Sequence, residues 1–372
     1  MAAELIVRTK PADCLIKDKV IHNMEEIMDC RERVIKAIKF EYPDRVPVTH
    51  CQLPGALLRH GQELINLYKK YPNDFYDVET VIKIPEKDRK HYDAEGKYYK
   101  EETDAWGCVW AYYQEGLTGE VKQSPLEDWS ALKRYRLPPV PNSSPEGRQR
   151  AREDMKKMKQ KYIGWGGGGS LYERMQWLRG VENLMVDIAL DSEEVYLLAD
   201  RIVEEYLLPT IEKSLEAGAD IIGFADDWGT QNQLLINPKS WRKIFKPRYK
   251  RLFDLARQGK ALTNMHSDGM ILEIIPDLIE IGLDVINPQF SCFDLNALKQ
   301  ATHKKICILS DIDRQKTLPF GTPEEVEKYV RKVFDMFVIP EGGFIARGEV
   351  GPDVPLENVE AMLKSFYRYG CF

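Results

Sequence analysis

The sequence predicts an α/β fold, a closed (β/α)8 TIM barrel with an N-terminal β-hairpin insertion. Three observations carry this expectation. From about residue 160, short β-branched runs alternate with longer stretches of helical period, the pattern of repeated strand-then-helix units on a parallel sheet. The apolar runs end, one after another, in polar residues. Between residues 75 and 140 the alternation gives way to aromatic, turn-rich sequence such as EGKYYKEETDAWGCVWAYYQEG, which reads as a hairpin insertion over one end of the barrel.

The candidate strands are RVPVTH (45–50), KYIGWG (161–166), ADIIGFADD (219–227), ALTNMHSD (261–268), LDVINPQ (283–289), KICILSDID (305–313) and GGFIARGEV (342–350). Between them, SEEVYLLADRIVEEYLLPTIEKSLEAG (192–218) has helical apolar spacing and stops at a glycine. TPEEVEKYVRKVFDMF (322–337) begins with Thr, Pro and two Glu, a strong helix start. EGRQRAREDMKKMKQK (146–161) reads as a solvated helix face. No repeat, low-complexity tract or linker interrupts residues 1–372, so a single domain with an elaborated N-terminal third is expected.

Composition narrows the partners. The 53 Lys and Arg against 59 Asp and Glu leave a net charge of -6, which offers no attraction to nucleic acid or an anionic membrane. The first twenty residues, MAAELIVRTKPADCLIKDKV, lack the apolar run of a signal peptide, and no segment is long enough to span a bilayer, so a cytoplasmic protein is expected. Seven scattered cysteines (14, 30, 51, 108, 292, 307 and 371) contain no C-x-x-C pair and read as free thiols. The sequence leaves homo-oligomer formation open.

In a parallel barrel the C-terminal strand ends form the rim where active sites are built. Here those ends carry Asp226 and Asp227, His266 and Asp268, Asn287 and Gln289, Asp311 and Asp313, and Arg347 and Glu349. Asp311 and Asp313 read first as loop or cap residues. His266 and Asp268 lie two apart, so on a strand they face the same side and can converge on one metal ion or one substrate atom, although a buried histidine is more often satisfied by hydrogen bonds. Of the other histidines (22, 50, 60, 91 and 303) only His50 ends a candidate strand. GWGGGGSLYERM (164–175) lacks the Lys-Ser/Thr pair of a phosphate loop. Its glycines, Gly166 and Gly167 among them, suit close approach of a bulky ligand. Trp106, Trp110 and Trp165 read equally as core or as an aromatic pocket wall.

Several segments together resemble the uroporphyrinogen decarboxylase-like superfamily: RERVIKAIKFEYPDRVPV (31–48), DAWGCVW (104–110), GFADDWGTQNQLLINPKSWRKIFKPRYKRL (223–252), HSDG (266–269), IEIGLDVINPQ (279–289) and GPDVPLENVEAML (351–363). The resemblance implies its (β/α)8 barrel. The superfamily contains decarboxylases and corrinoid-dependent methyltransferases. The arginine-rich R-Q-A-G-R segment of the decarboxylases is replaced here by THCQLPGALLRHG (49–61), with Arg59 alone, and their C-terminal histidine by ARGEVGP (346–352). A poly-acidic tetrapyrrole is hard to hold without such cations, which makes uroporphyrinogen decarboxylase the alternative reading.

The thiol-directed methyltransferases of the superfamily hold zinc through a histidine and two cysteines. This sequence has His266, Asp268 at the position of the first cysteine, and Glu349 within about one position of the second, so the resemblance implies a zinc site of one nitrogen and two oxygen ligands. Such a set is harder than a thiolate set and suits activation of an oxygen. The resemblance therefore points to an O-demethylase type of methyltransferase, which moves a methyl group from a methyl ether, a methoxylated aromatic, to cobalamin on a partner corrinoid protein. A methylcobamide-to-thiol methyltransferase and a silent corrinoid-binding scaffold are the remaining alternatives. In this reading His266, Asp226 and Asp227 are the catalytic candidates, and Gly166, Gly167, Gln231 and Asn232 contact substrate or corrinoid.

Overall fold

The computed structural model describes residues 28–372. The N-terminal stretch read above as lacking a signal peptide, with Cys14 and His22, lies outside the described residues. Eleven strands follow in chain order: β1 (Cys51–Gln52), β2 (Lys100–Thr103), β3 (Val109–Tyr112), β4 (Glu120–Gln123), β5 (Trp165–Gly169), β6 (Ile221–Ala225), β7 (Leu262–Ser267), β8 (Val285–Pro288), β9 (Cys307–Leu309), β10 (Phe344–Ile345) and β11 (Glu349–Val350).

β5 to β10 form one six-stranded, all-parallel sheet in chain order. At its far edge the chain continues into β11, which pairs in parallel with β1, and Val48 bridges Ala346 in the same sense. The first strand therefore lies beside the last, as in a barrel ring. Among the described residues no backbone ladder joins β5 to β1. At that seam the Asp74 N–H donates to the Val48 carbonyl at 2.7 Å, and the Phe75 ring lies 6.3 Å from that of Trp165.

Alternate residues climb the inside of the sheet in layers. Ile221, Val285, Cys307 and Ile345 form an apolar floor with Ile163, and the helix Cys30–Lys39 closes it from below with Val34 and Ile38. Two residues further along the strands the inside turns polar, with Asn264, Asn287 and Arg347, and two further again it carries His266. The period of two thus lifts each strand from core to rim.

Five elements differ from expectation. RVPVTH (45–50) carries only isolated bridges at Arg45 and Val48, ahead of β1, and GGFIARGEV (342–350) divides into β10 and β11. The insertion is a three-stranded antiparallel sheet, β2–β3–β4, rather than a single hairpin, because the chain turns back again through Gly116 and adds β4. The glycine run 166–169 is strand β5 itself, and the predicted strand at 161–166 is displaced onto it. A Cβ on Gly166 would lie 2.7 Å from that of Ser214, and one on Gly168 only 2.5 Å from the Phe224 ring, so glycine lets this strand lie close to its neighbours. The helix expected over 192–218 is broken into Glu193–Ile202, a π-helical turn Val203–Leu207, and Leu208–Ala217. Pro209 at the start of the last piece has no N–H to continue an α-helical ladder.

The helix Pro323–Phe337 begins with a complete capping box between Thr322 and Glu325. The insertion lies over the rim. Trp110 packs edge-on against Trp177 at 5.2 Å, and the Leu126 N–H donates to the Leu178 carbonyl at 2.8 Å.

Candidate functional site

A cavity of about 700 Å³ opens at the C-terminal strand ends. Its walls are aromatic and its floor polar: Phe75, Tyr76, Trp165, Trp177 and Phe224 surround Asn264, His266, Asn287, Arg347 and Glu173. Of the three tryptophans named from sequence, Trp165 alone lines it. Trp106 is buried under the Arg174 guanidinium, 4.3 Å from its ring centroid, and Trp110 donates through its indole N–H to Asp104 at 3.1 Å.

The His266 ring is oriented from behind. Asn287 donates through Nδ2 to the Leu309 carbonyl at 2.8 Å, which turns its Oδ1 toward His266 Nδ1, also at 2.8 Å, and toward Arg347 Nη1 at 3.0 Å. Since that oxygen only accepts, Nδ1 carries the proton and Nε2 faces the rim carboxylates. Nε2 lies 3.2 Å from Asp268 Oδ1 and 3.9 Å from Asp227 Oδ1. Burial opposes a charged ring, but the Asp268 carboxylate prevails and holds the His266 pKa above its usual value.

Asp227, His266 and Asp268 offer ligand atoms that all lie within 4.8 Å of one another. With the Nε2 proton displaced, a nitrogen lone pair between two carboxylates is a donor set for a hard or borderline divalent cation such as zinc, so the residues fit the metal that the resemblance implies. Glu349 stands outside this group of three. It accepts from Arg314 at 2.7 Å and from Arg347 at 3.1 Å, and although burial pushes its carboxyl upward these two cations hold it below the usual range.

Strand parity separates the two aspartates of β6. Asp227 continues the inward row and, with its pKa raised by burial and by Asp268, faces His266. Asp226 points outward and is fully buried, and it does not line the cavity. Its carboxylate accepts from the backbone N–H groups of Leu171 at 2.9 Å, Tyr172 at 3.0 Å and Glu173 at 2.8 Å, and so caps the helix Tyr172–Arg179 from a neighbouring strand. Burial pushes this carboxyl up to about 7 while the three N–H donors pull it down.

The helix capped by Asp226 delivers Glu173, which the sequence reading missed, into the cavity. Burial and the negative charges of Asp226, Asp227 and Asp268 push its carboxyl up to about 9, so it keeps its proton at neutral pH. Arg314 was also missed. Its guanidinium bridges Asp268 and Glu349. Asp313 is the loop cap expected, taking the N–H groups of Gln315, Lys316 and Thr317 at 3.0–3.1 Å, whereas Asp311 is fully buried and caps nothing.

The remaining sequence candidates scatter. Gly166 is packed outward against Ser214, while a Cβ on Gly167 would meet nothing within 4 Å. Gln231 and Asn232 are exposed on the loop after β6, with Gln231 Oε1 3.6 Å from Cys292 Sγ. His50 lines the same cavity but stacks on Tyr68 at 4.3 Å, and burial lowers its pKa to about 3, so it is neutral.

The sequence profile of the uroporphyrinogen decarboxylase (URO-D) family matches residues 103–369. The chain belongs to the URO-D family. This places it in an enzyme family and accounts for the barrel architecture. No curated protein matches the chain. Among solved structures, a methyltransferase from Methanosarcina mazei is similar over 91% of this chain and 98% of that one, at 17% identity and a TM-score of 0.61, a shared fold. A B12-independent methionine synthase from Shewanella sp. W3-18-1 is similar over 74% of each chain, at 14% identity and a TM-score of 0.36. Among the described residues of this URO-D family member, no helix is long and apolar enough to cross a membrane.

Proposed function

We propose that this URO-D family member is a corrinoid-dependent methyltransferase, an O-demethylase that cleaves the methyl ether of a methoxylated aromatic and delivers the methyl group to cob(I)alamin on a separate corrinoid protein. One observation carries the reading: His266, on the polar side of an aromatic-walled cavity, is grouped with Asp227 and Asp268, whose ligand atoms lie within 4.8 Å of one another and of its own. Flat aromatic walls suit an arene, and the rim group suits an ether oxygen that must leave with negative charge.

In this reaction the C–O bond breaks with its electron pair passing to the aryl oxygen, and the methyl carbon goes to the nucleophile. Zinc bound by Asp227, His266 and Asp268 would supply Lewis acidity at that oxygen, and the docked corrinoid would supply the nucleophile. The chain's own part is to stack the ring between Trp165 and its aromatic neighbours, to exclude water, and to hold a proton on Glu173. A phenol has a pKa of ~10 and the Glu173 carboxyl lies at about 9, so the acid is well matched to the leaving phenolate. Gln231 and Asn232, exposed beyond the cavity, are assigned to the corrinoid partner.

The decarboxylase alternative needs free cations for a poly-acidic substrate. Arg314 and Arg347 are instead already engaged by Asp268 and Glu349. The deciding assay incubates the protein with a methoxyarene and chemically reduced cobalamin and follows the phenol and methylcobalamin produced. Equal amounts of both support the reading, whereas loss of carboxyl groups from uroporphyrinogen, with no methyl transfer, overturns it.

A further inference from the structure

We propose that Arg314 is a tethered cation that holds Asp268 in the metal-free enzyme and transfers to Asp311 when a divalent metal binds. The inference rests on the reading of Asp227, His266 and Asp268 as a metal site.

Arg314 hydrogen-bonds the same Asp268 Oδ1 that faces His266 Nε2, so arginine and metal compete for one oxygen. Its second anchor, Glu349 Oε1 at 2.7 Å, lies outside the proposed ligand group and need not be released. Asp311 supplies the destination. Its side chain is 1% exposed, and neither carboxylate oxygen has a hydrogen-bond partner, an unusual state for a buried acid. One oxygen stands 3.9 Å from Arg314 Nε and the other 3.9 Å from Arg347 Nη1, long ion pairs just beyond hydrogen-bond distance.

A small rotation about the Glu349 contact would free Asp268 and close Arg314 on Asp311. The positive charge withdrawn from Asp268 is replaced by the metal, and the same movement gives Asp311 the hydrogen bond it lacks. Arg314 is in these terms a positioning residue that sets metal affinity, and Asp311 is its second seat.

The test uses the full-length protein and Zn2+ alone, titrated in competition with a chromophoric chelator. Arg314→Gln removes the competitor and should tighten zinc binding by ~10-fold or more, while Asp311→Asn removes the second seat and should weaken it by a similar factor. Arg314→Lys keeps the charge without the two-nitrogen bridge and should tighten zinc binding less than Arg314→Gln does, which separates competition from lost packing should Arg314→Gln fold poorly. Opposite shifts in Arg314→Gln and Asp311→Asn support the switch. Equal zinc affinity in all proteins, or shifts of the same sign, overturns it and leaves the metal site standing. Absence of zinc binding from every protein removes both, whatever the methyl-transfer assay gives.

Discussion

Replacing Asp226 by asparagine tests whether this residue is a helix anchor or a member of the chemistry. The substitution keeps shape and volume, so the expected cost comes from hydrogen bonding. One carboxylate oxygen takes the Leu171 and Tyr172 N–H groups, and the other takes that of Glu173. The better amide orientation keeps the first pair and points an NH2 at the Glu173 N–H. One hydrogen bond to a charged group is lost, at ~1.5–3 kcal/mol, and a buried donor is left unsatisfied, at ~1–3 kcal/mol. At pH 8 the carboxyl, held up at about 7 by burial, is ionised at a cost that the asparagine does not carry, so a net loss of only about 1–2 kcal/mol is expected there, growing as the pH is lowered below 7. Urea unfolding should show a lower midpoint with an unchanged slope. Methyl transfer should fall only as far as Glu173 is displaced. A variant of wild-type stability that had lost all turnover would refute the anchor assignment and return Asp226 to the reacting atoms.

Glu173→Gln removes the proposed proton donor, and methyl transfer should fall by ~10²-fold or more at neutral pH. In the wild type, activity dependent on this acid should persist up to about pH 9 and decline above it, a limb absent from the variant's profile. The same group shapes stability. Its carboxyl keeps its proton to about 9 when folded, against 4.5 for the unfolded group. The folded state therefore binds more protons in that window and stability falls as pH rises through it; Glu173→Gln should flatten the slope in pH-dependent unfolding. Gly269 has φ +78° and a Cβ there would lie 2.2 Å from the Gly229 backbone, so Gly269→Ala should destabilise by at least ~2 kcal/mol in the same urea assay and weaken zinc binding at the adjacent Asp268. Asn287→Leu removes the oxygen that orients His266 and should reduce zinc affinity by ~10-fold or more, measured by chelator competition.

Much of the barrel was legible because its strands are buried on both faces and stand out as short β-branched runs. Rim positions followed from where those runs end. The parity of the inward rows was also present in the sequence: Ile221, Gly223, Ala225 and Asp227 share one side of β6, and Leu262, Asn264, His266 and Asp268 share one side of β7. Counting back from His266 on one strand and from the floor residue Ile221 on the other would have separated Asp227 from Asp226.

Other residues had no such signal. Glu173 enters the cavity only because a cap from another strand holds the start of its helix. Arg314 sits in a loop that reads as an ordinary turn, and the two carboxylates it hydrogen-bonds are 46 and 35 residues away. Glu349, which the resemblance offers as a ligand, is engaged in this structure by two arginines that the fold brings together. Long-range charge pairing of this kind leaves no local pattern in the chain.

The central claim is that Asp227, His266 and Asp268 hold a metal that serves cleavage of a methyl ether. The most direct measurement is the zinc content of purified wild-type, His266→Ala and Asp227→Ala proteins, beside their demethylation of a methoxyarene with reduced cobalamin. The account predicts about one zinc per chain in the wild type, with metal and activity lost together in both variants. Full demethylation by zinc-free wild-type protein would contradict it.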